Sequence, residues 1–143
     1  MHNHLINHYE HVTISWLDEQ QTIIYVEAQR GWQWDETHAV FDEVNSIVAE
    51  NLHPTYVIVD MSSAGLTLPR QKKDFIHIRR LMMNDPSHEV MTIFVTRSQM
   101  LTDIVTTVRN VYRKDIEANK IKFVAHIDEA MNIVKFHQER VML

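Results

Sequence analysis

Between Tyr9 and Leu17 apolar residues fall at every second position, Val12, Ile14 and Trp16, the period of a strand with one buried face. After the polar break Asp18-Glu19-Gln20-Gln21, Thr22 to Ala28 supplies a second strand rich in β-branched residues. The break is too short for a crossover helix, so the two strands are expected to pair as an antiparallel hairpin. The period then changes. Val40, Phe41, Val44, Ile47, Val48 and Leu52 form one face of a helix over Asp35 to Leu52, with Asp35 as N-cap and Pro54 as stop. Tyr56 to Met61 is a nearly continuous apolar run, the mark of a strand covered on both faces.

The same alternation continues. Pro69 opens a helix with Phe75, Ile78, Leu81 and Met82 on its inner face, ended by Asp85-Pro86-Ser87. Val90 to Thr96 reads as a strand. Ser98 caps a helix carrying Leu101, Ile104, Val105, Val108, Val111 and Tyr112 inward, Lys120 to Ala125 is a last strand, and Asp128 to Val141 a closing helix. The expected architecture is α/β: a mixed five-stranded sheet, made of an N-terminal antiparallel hairpin followed by βαβαβα units, covered by four helices. No repeat or linker divides the chain, so residues 1–143 are expected to form one domain, with 1–8 a flexible N-terminal segment.

Composition narrows the chemistry. A formal charge of −5 argues against a domain that grips nucleic acid through net positive charge. Cysteine is absent, which excludes disulfides, thiolate metal sites and a cysteine nucleophile. The two glycines, Gly31 and Gly65, cannot build a Gly-rich phosphate cradle. No apolar run approaches the roughly 18 residues of a membrane span, and the start of the chain has no signal-peptide core, so a cytoplasmic location is expected.

In open α/β sheets ligands sit beyond the carboxyl ends of the strands. Asp60 ends one central strand and leads into Ser62 and Ser63; Val95 ends the next and leads into Arg97 and Ser98. Arg97 and Ser98 at a helix start suit an anion, and the alternative is a capping serine beside a solvated arginine. Ser62 and Ser63 would accept a phosphoryl group, bind a ligand or serve the turn backbone. Trp32 and Trp34 point to one side of an extended segment, either as an exposed platform for a partner or as a cover over the core. His2, His4 and His8 lie on one side of the N-terminal segment, but no acidic partner stands at a fixed spacing, so no metal site is assigned. The sequence carries no G-x-S-x-G or H-E-x-x-H signature. A phospho-receiver reading fails because a four-residue connection joins the first two strands, where that fold needs a helix.

The order of elements, the segment Val57-Ile58-Val59-Asp60-Met61-Ser62, and the late Phe123-Val124 strand followed by Asp128-Glu129-Ala130 together resemble STAS domains. This SpoIIAA-like group includes anti-sigma-factor antagonists, sulphate-transporter tails and stand-alone bacterial STAS/SEC14-like proteins. The resemblance spans roughly Thr22 to Val134. In the antagonists a phosphorylatable serine opens a helix several residues beyond the strand-ending aspartate. Here Thr67-Leu68-Pro69-Arg70 occupies that place, and Ser62-Ser63-Ala64-Gly65-Leu66 follows Asp60 directly, so no phosphosite is carried over.

With the missing catalytic motifs, the resemblance implies a non-enzymatic regulatory or binding module without cofactor. It would dock a protein partner or small anionic ligand on Asp60, Ser62, Ser63, Arg97 and Ser98, flanked by Trp32 and Trp34. A second reading is a carrier of apolar, lipid-like ligands, with a slot between the sheet and the helix bearing Met82 and Met83. Homodimerisation through apolar outer helix faces is compatible with both readings.

Overall fold

The computed structural model describes residues 4–51, 53–64, 89–99, 102–103, 106–107, 110 and 121–141. Six strands, β1 (His4–His8), β2 (Val12–Trp16), β3 (Ile23–Gln29), β4 (Thr55–Ser63), β5 (Glu89–Val95) and β6 (Ile121–Val124), accompany two bounded helices, α1 (Trp34–Glu50) and α2 (Ile127–Val141). The strands lie side by side in sequence order. β1, β2 and β3 pair antiparallel, and β3 to β6 run parallel, so the mixed α/β class and the opening hairpin are as expected.

The β2–β3 turn is closed by one side chain. The Asp18 carboxyl accepts from the backbone N–H groups of Thr22 and Ile23, each at 3.0 Å, and from the Thr22 hydroxyl, while Gln21 takes a left-handed φ of 57°.

The sheet has six strands rather than five. The extra one, β1, occupies most of the segment expected to be flexible. Its side chains give no burial signal: Leu5 is 64% exposed and Ile6 is the one half-buried residue. Backbone pairing to β2 and two anchors on α1 hold this end of the chain. Asn7 Nδ2 and the Tyr9 hydroxyl both donate to Glu43 Oε1, at 2.6 and 2.9 Å.

α1 starts one residue before the expected cap. Gln33 is the N-cap and makes no side-chain capping bond, while Asp35 lies in the first turn, where its charge suits the positive end of the helix dipole. Glu36, also in that turn, reaches across to the β1–β2 turn. It accepts from the His11 backbone N–H at 2.6 Å, and its second oxygen is 3.0 Å from His11 Nδ1. Gly31 makes this approach possible, because its φ of +99° disfavours any side chain and an added Cβ would lie 3.2 Å from the His11 ring.

Two apolar layers flank the sheet. On one face Val40, Val44 and Val48 of α1 pack with Ile14, Ile24, Val26, Val57 and Val59. On the other, Ala130 and Val134 of α2 pack with Tyr25, Tyr56, Ile58 and Ile93. β4 is therefore buried on both sides from Thr55 to Asp60, as its apolar run implies. The expected Pro69–Asn84 helix lies outside the described residues. Of the helix after Ser98, residues 99, 102–103, 106–107 and 110 are helical, and its six expected inward residues lie outside the description. Four helices are therefore not established. Among the described residues no helix is long and apolar enough to cross a membrane.

Candidate functional site

The carboxyl edge of the parallel strands is built on a register row in which Glu27, Asp60, Val95 and Val124 stand side by side. Alternation turns Glu27 and Asp60 to the α2 face, with Tyr25 one row beneath. Asp60 is buried at 7% exposure, and each of its carboxyl oxygens accepts a hydrogen bond. One oxygen accepts the Tyr25 hydroxyl and the other accepts the Ser62 backbone N–H at 2.9 Å. Glu27 Oε2 lies 3.1 Å from the same tyrosine oxygen, and Glu27 Oε1 accepts from Gln29 Nε2 at 2.7 Å.

The Ser62 bond has a structural cause. Between β3 and β4 the register slips from Glu27↔Asp60 to Gln29↔Ser63, so β4 carries one extra residue there. A bulge leaves a backbone group out of the ladder and re-aims the side chains beyond it. Asp60 satisfies the Ser62 N–H inside the bulge, and Ser62 and Ser63 emerge exposed above it.

On β5 the equivalent turn is held by Thr96. Its N–H donates to Val124 O at 2.9 Å, and its hydroxyl oxygen accepts the Ser98 N–H at 3.0 Å. Ser98 is buried and its carbonyl accepts from both the N–H and the hydroxyl of Thr102, the backbone role of an N-cap. Arg97 between them is exposed and makes no ion pair among the described residues. Since Asp60 and Val95 are in register, the short segments beyond them bring Ser62, Ser63 and Arg97 onto one rim.

Trp32 and Trp34 are not on that rim. They are 6% and 3% exposed, pack edge to face with centroids 4.9 Å apart, and belong to the α1-side core, so they offer no apolar platform to a partner. His4 and His8 are exposed on β1, while His2 lies outside the described residues; among those described, no group of three potential ligands converges on a metal position. Met82 and Met83, and with them the expected apolar slot, also lie outside. Tyr25, Glu27 and Thr96 are the site residues that sequence reasoning missed. The available signal was parity, since Tyr25 and Glu27 share a strand face.

Burial is the main cause that raises the Tyr25 pKa well above its usual value near 10, followed by its hydrogen bond to Asp60 and the charges of Asp60 and Glu27. The unfolded chain therefore releases this proton first as pH rises. Its contribution to stability is complete below about pH 10 and is lost above it. Tyr9 and Tyr56 shift in the same direction. Stability measured by urea unfolding is expected to fall above about pH 10, and Tyr25→Phe is expected to reduce that slope.

No family model, curated protein or solved structure matches the chain. The fold defines a mixed α/β protein with a single sheet through the described residues.

Proposed function

We propose that this chain is a non-enzymatic binding module of the STAS-like type, which docks an acidic segment of a protein partner, or a small anionic ligand, on the rim above β4 and β5. The observation that carries this reading is that Ser62, Ser63 and Arg97 are exposed just beyond the in-register ends of β4 and β5, above a carboxyl hydrogen-bonded to Tyr25 and to the bulge. The groups turned outward are hydroxyls and a guanidinium, whose donors suit carboxylate and phosphate oxygens. Asp60 and Ser98 position these groups from beneath. The order of the strands supports a surface contact over an enclosed ligand. Crevices open where strand order reverses, and here β1 to β6 follow one another without reversal.

The test is affinity capture by the wild-type chain and by Arg97→Ala, with the captured protein identified by mass spectrometry and a native mass spectrum recorded beside it. Arg97→Ala is expected to change stability by less than about 0.5 kcal/mol, as for an exposed position, and to lose the partner or the bound anion. Equal capture of the same partner by both chains overturns the assignment to this rim.

A further inference from the structure

His11 fixes the start of β2. Its N–H donates to Glu36 Oε2 at 2.6 Å, its ring Nδ1 lies 3.0 Å from Glu36 Oε1, and its carbonyl accepts the Gln29 N–H at 2.6 Å. On the other side of Glu10 the chain is held far less. No side chain of β1 is fully buried, and Ile6 and the adjoining Tyr9 are half-buried against the α1-side core. Among the described residues, the side-chain hydrogen bonds that tie this segment to α1 come from Asn7 Nδ2 and the Tyr9 hydroxyl, and both end on one atom, Glu43 Oε1.

The turn does not lock β1 in place either. The Tyr9 N–H donates to Val12 O at 2.7 Å across the two-residue connection Glu10-His11. Two-residue hairpin loops that follow the twist of their strands hold one or both central residues at positive φ. Neither Glu10 nor His11 does so.

The outer edge of β1 is closed to a further strand. Because Tyr9 bonds to Val12, alternation turns the His8 N–H away from β2, and Asn7 Oδ1 accepts it at 2.8 Å. The bulge between Leu5 and Asn7 interrupts the same row of backbone groups, and both devices blunt an edge. When β1 swings out about Glu10, the edge uncovered is that of β2, beside buried Ile14 and half-buried Trp16. The segment that matches it in register, bulge and contacts to Glu43 is β1 itself, and the β1 of a second copy matches it equally.

We infer that β1 is an exchangeable strand, latched by Glu43 and pivoting at Glu10, through which two copies of this chain associate by each placing its β1 on the other's β2. Hydrogen exchange of the whole chain, followed by nitrogen-15 NMR, compares two bonded amides on either side of the pivot. Tyr9 is expected to be at least about tenfold less protected than Gln29, as for a segment that opens locally. Glu43→Ala is expected to speed exchange at Tyr9 by about tenfold or more and to leave Gln29 unchanged. Glu43→Gln keeps an acceptor oxygen and gives a smaller effect.

Exchange between copies is read by disulfide trapping, since the chain has no cysteine of its own. His8 and Thr13 are partners across β1 and β2. A His8→Cys chain and a Thr13→Cys chain, mixed at high concentration and then oxidised, are expected to give a mixed covalent dimer in excess over either like-with-like dimer, counted by denaturing mass spectrometry. Adding Glu43→Ala to both chains makes the mixed dimer form faster. Leu5→Cys with Ser15→Cys, another facing pair, serves if either first variant does not fold. The inference is overturned if Tyr9 is as protected as Gln29, if Glu43→Ala leaves Tyr9 unchanged, or if the mixed dimer does not exceed the like-with-like ones.

Discussion

Trp34→Ala is expected to lower stability by about 3–5 kcal/mol, the cost of truncating a buried tryptophan. Chemical denaturation followed by circular dichroism reads this as a lower midpoint with little change in slope. Total stability for a domain is about 5–15 kcal/mol, so the variant would sit near its folding threshold. The physical reason is position. Trp34 is the first residue of α1, and its ring, 3% exposed, packs against Trp32 and lies 6.2 Å from the His38 ring. It therefore ties the start of the helix into the layer formed with β2, β3 and β4. A tryptophan serving as a surface platform would cost less than about 0.5 kcal/mol when removed. A result in that range would contradict the burial described here.

Asp60→Ala is expected to cost about 2–4 kcal/mol, because it removes the acceptor of two groups at once. The Tyr25 hydroxyl loses its closest partner in the α2-side core, and the Ser62 N–H loses its side-chain acceptor inside the bulge. Tyr25→Phe removes the hydroxyl that Asp60 accepts, so the double variant should lose less than the sum of the two single losses, with a coupling of about 1–2 kcal/mol. Urea unfolding of the four chains measures this cycle. Full additivity would mean that Tyr25 and Asp60 act separately. Asp60→Ala should also impair the rim by letting Ser62 and Ser63 shift, although Asp60 itself faces inward.

Much of the scaffold was legible because its signals are local. Period-two alternation at Val12, Ile14 and Trp16 marks β2, and the spacing of Val40, Val44 and Val48 marks α1. The unbroken apolar run at Tyr56–Val59 states that β4 is covered on both sides, which the two core layers bear out. β1 was missed for the converse reason. Exposed His4, Leu5, Asn7 and His8 bury almost nothing, and their strand exists through backbone bonds to a neighbour. The cap of α1 was misplaced because Asp35 has the right chemistry, whereas burial of Trp34 draws the helix start one residue earlier.

The candidate site was legible only at its strand ends. Asp60, Ser62, Ser63, Arg97 and Ser98 stand at strand ends that can be read along the chain, but Tyr25 lies 35 positions from Asp60 and meets it through the pairing of β3 with β4. Nor does alternation state that β4 gains a residue at Ser62. By itself the sequence determined the mixed α/β class, the opening hairpin and the faces of individual strands and α1, since each follows from the period of neighbouring residues. Tertiary structure alone decided the unreversed strand order, the burial of both tryptophans and the hydrogen bonding of Asp60 to Tyr25. These depend on contacts between residues far apart in the chain, and local periodicity carries no record of which distant segment will be the neighbour.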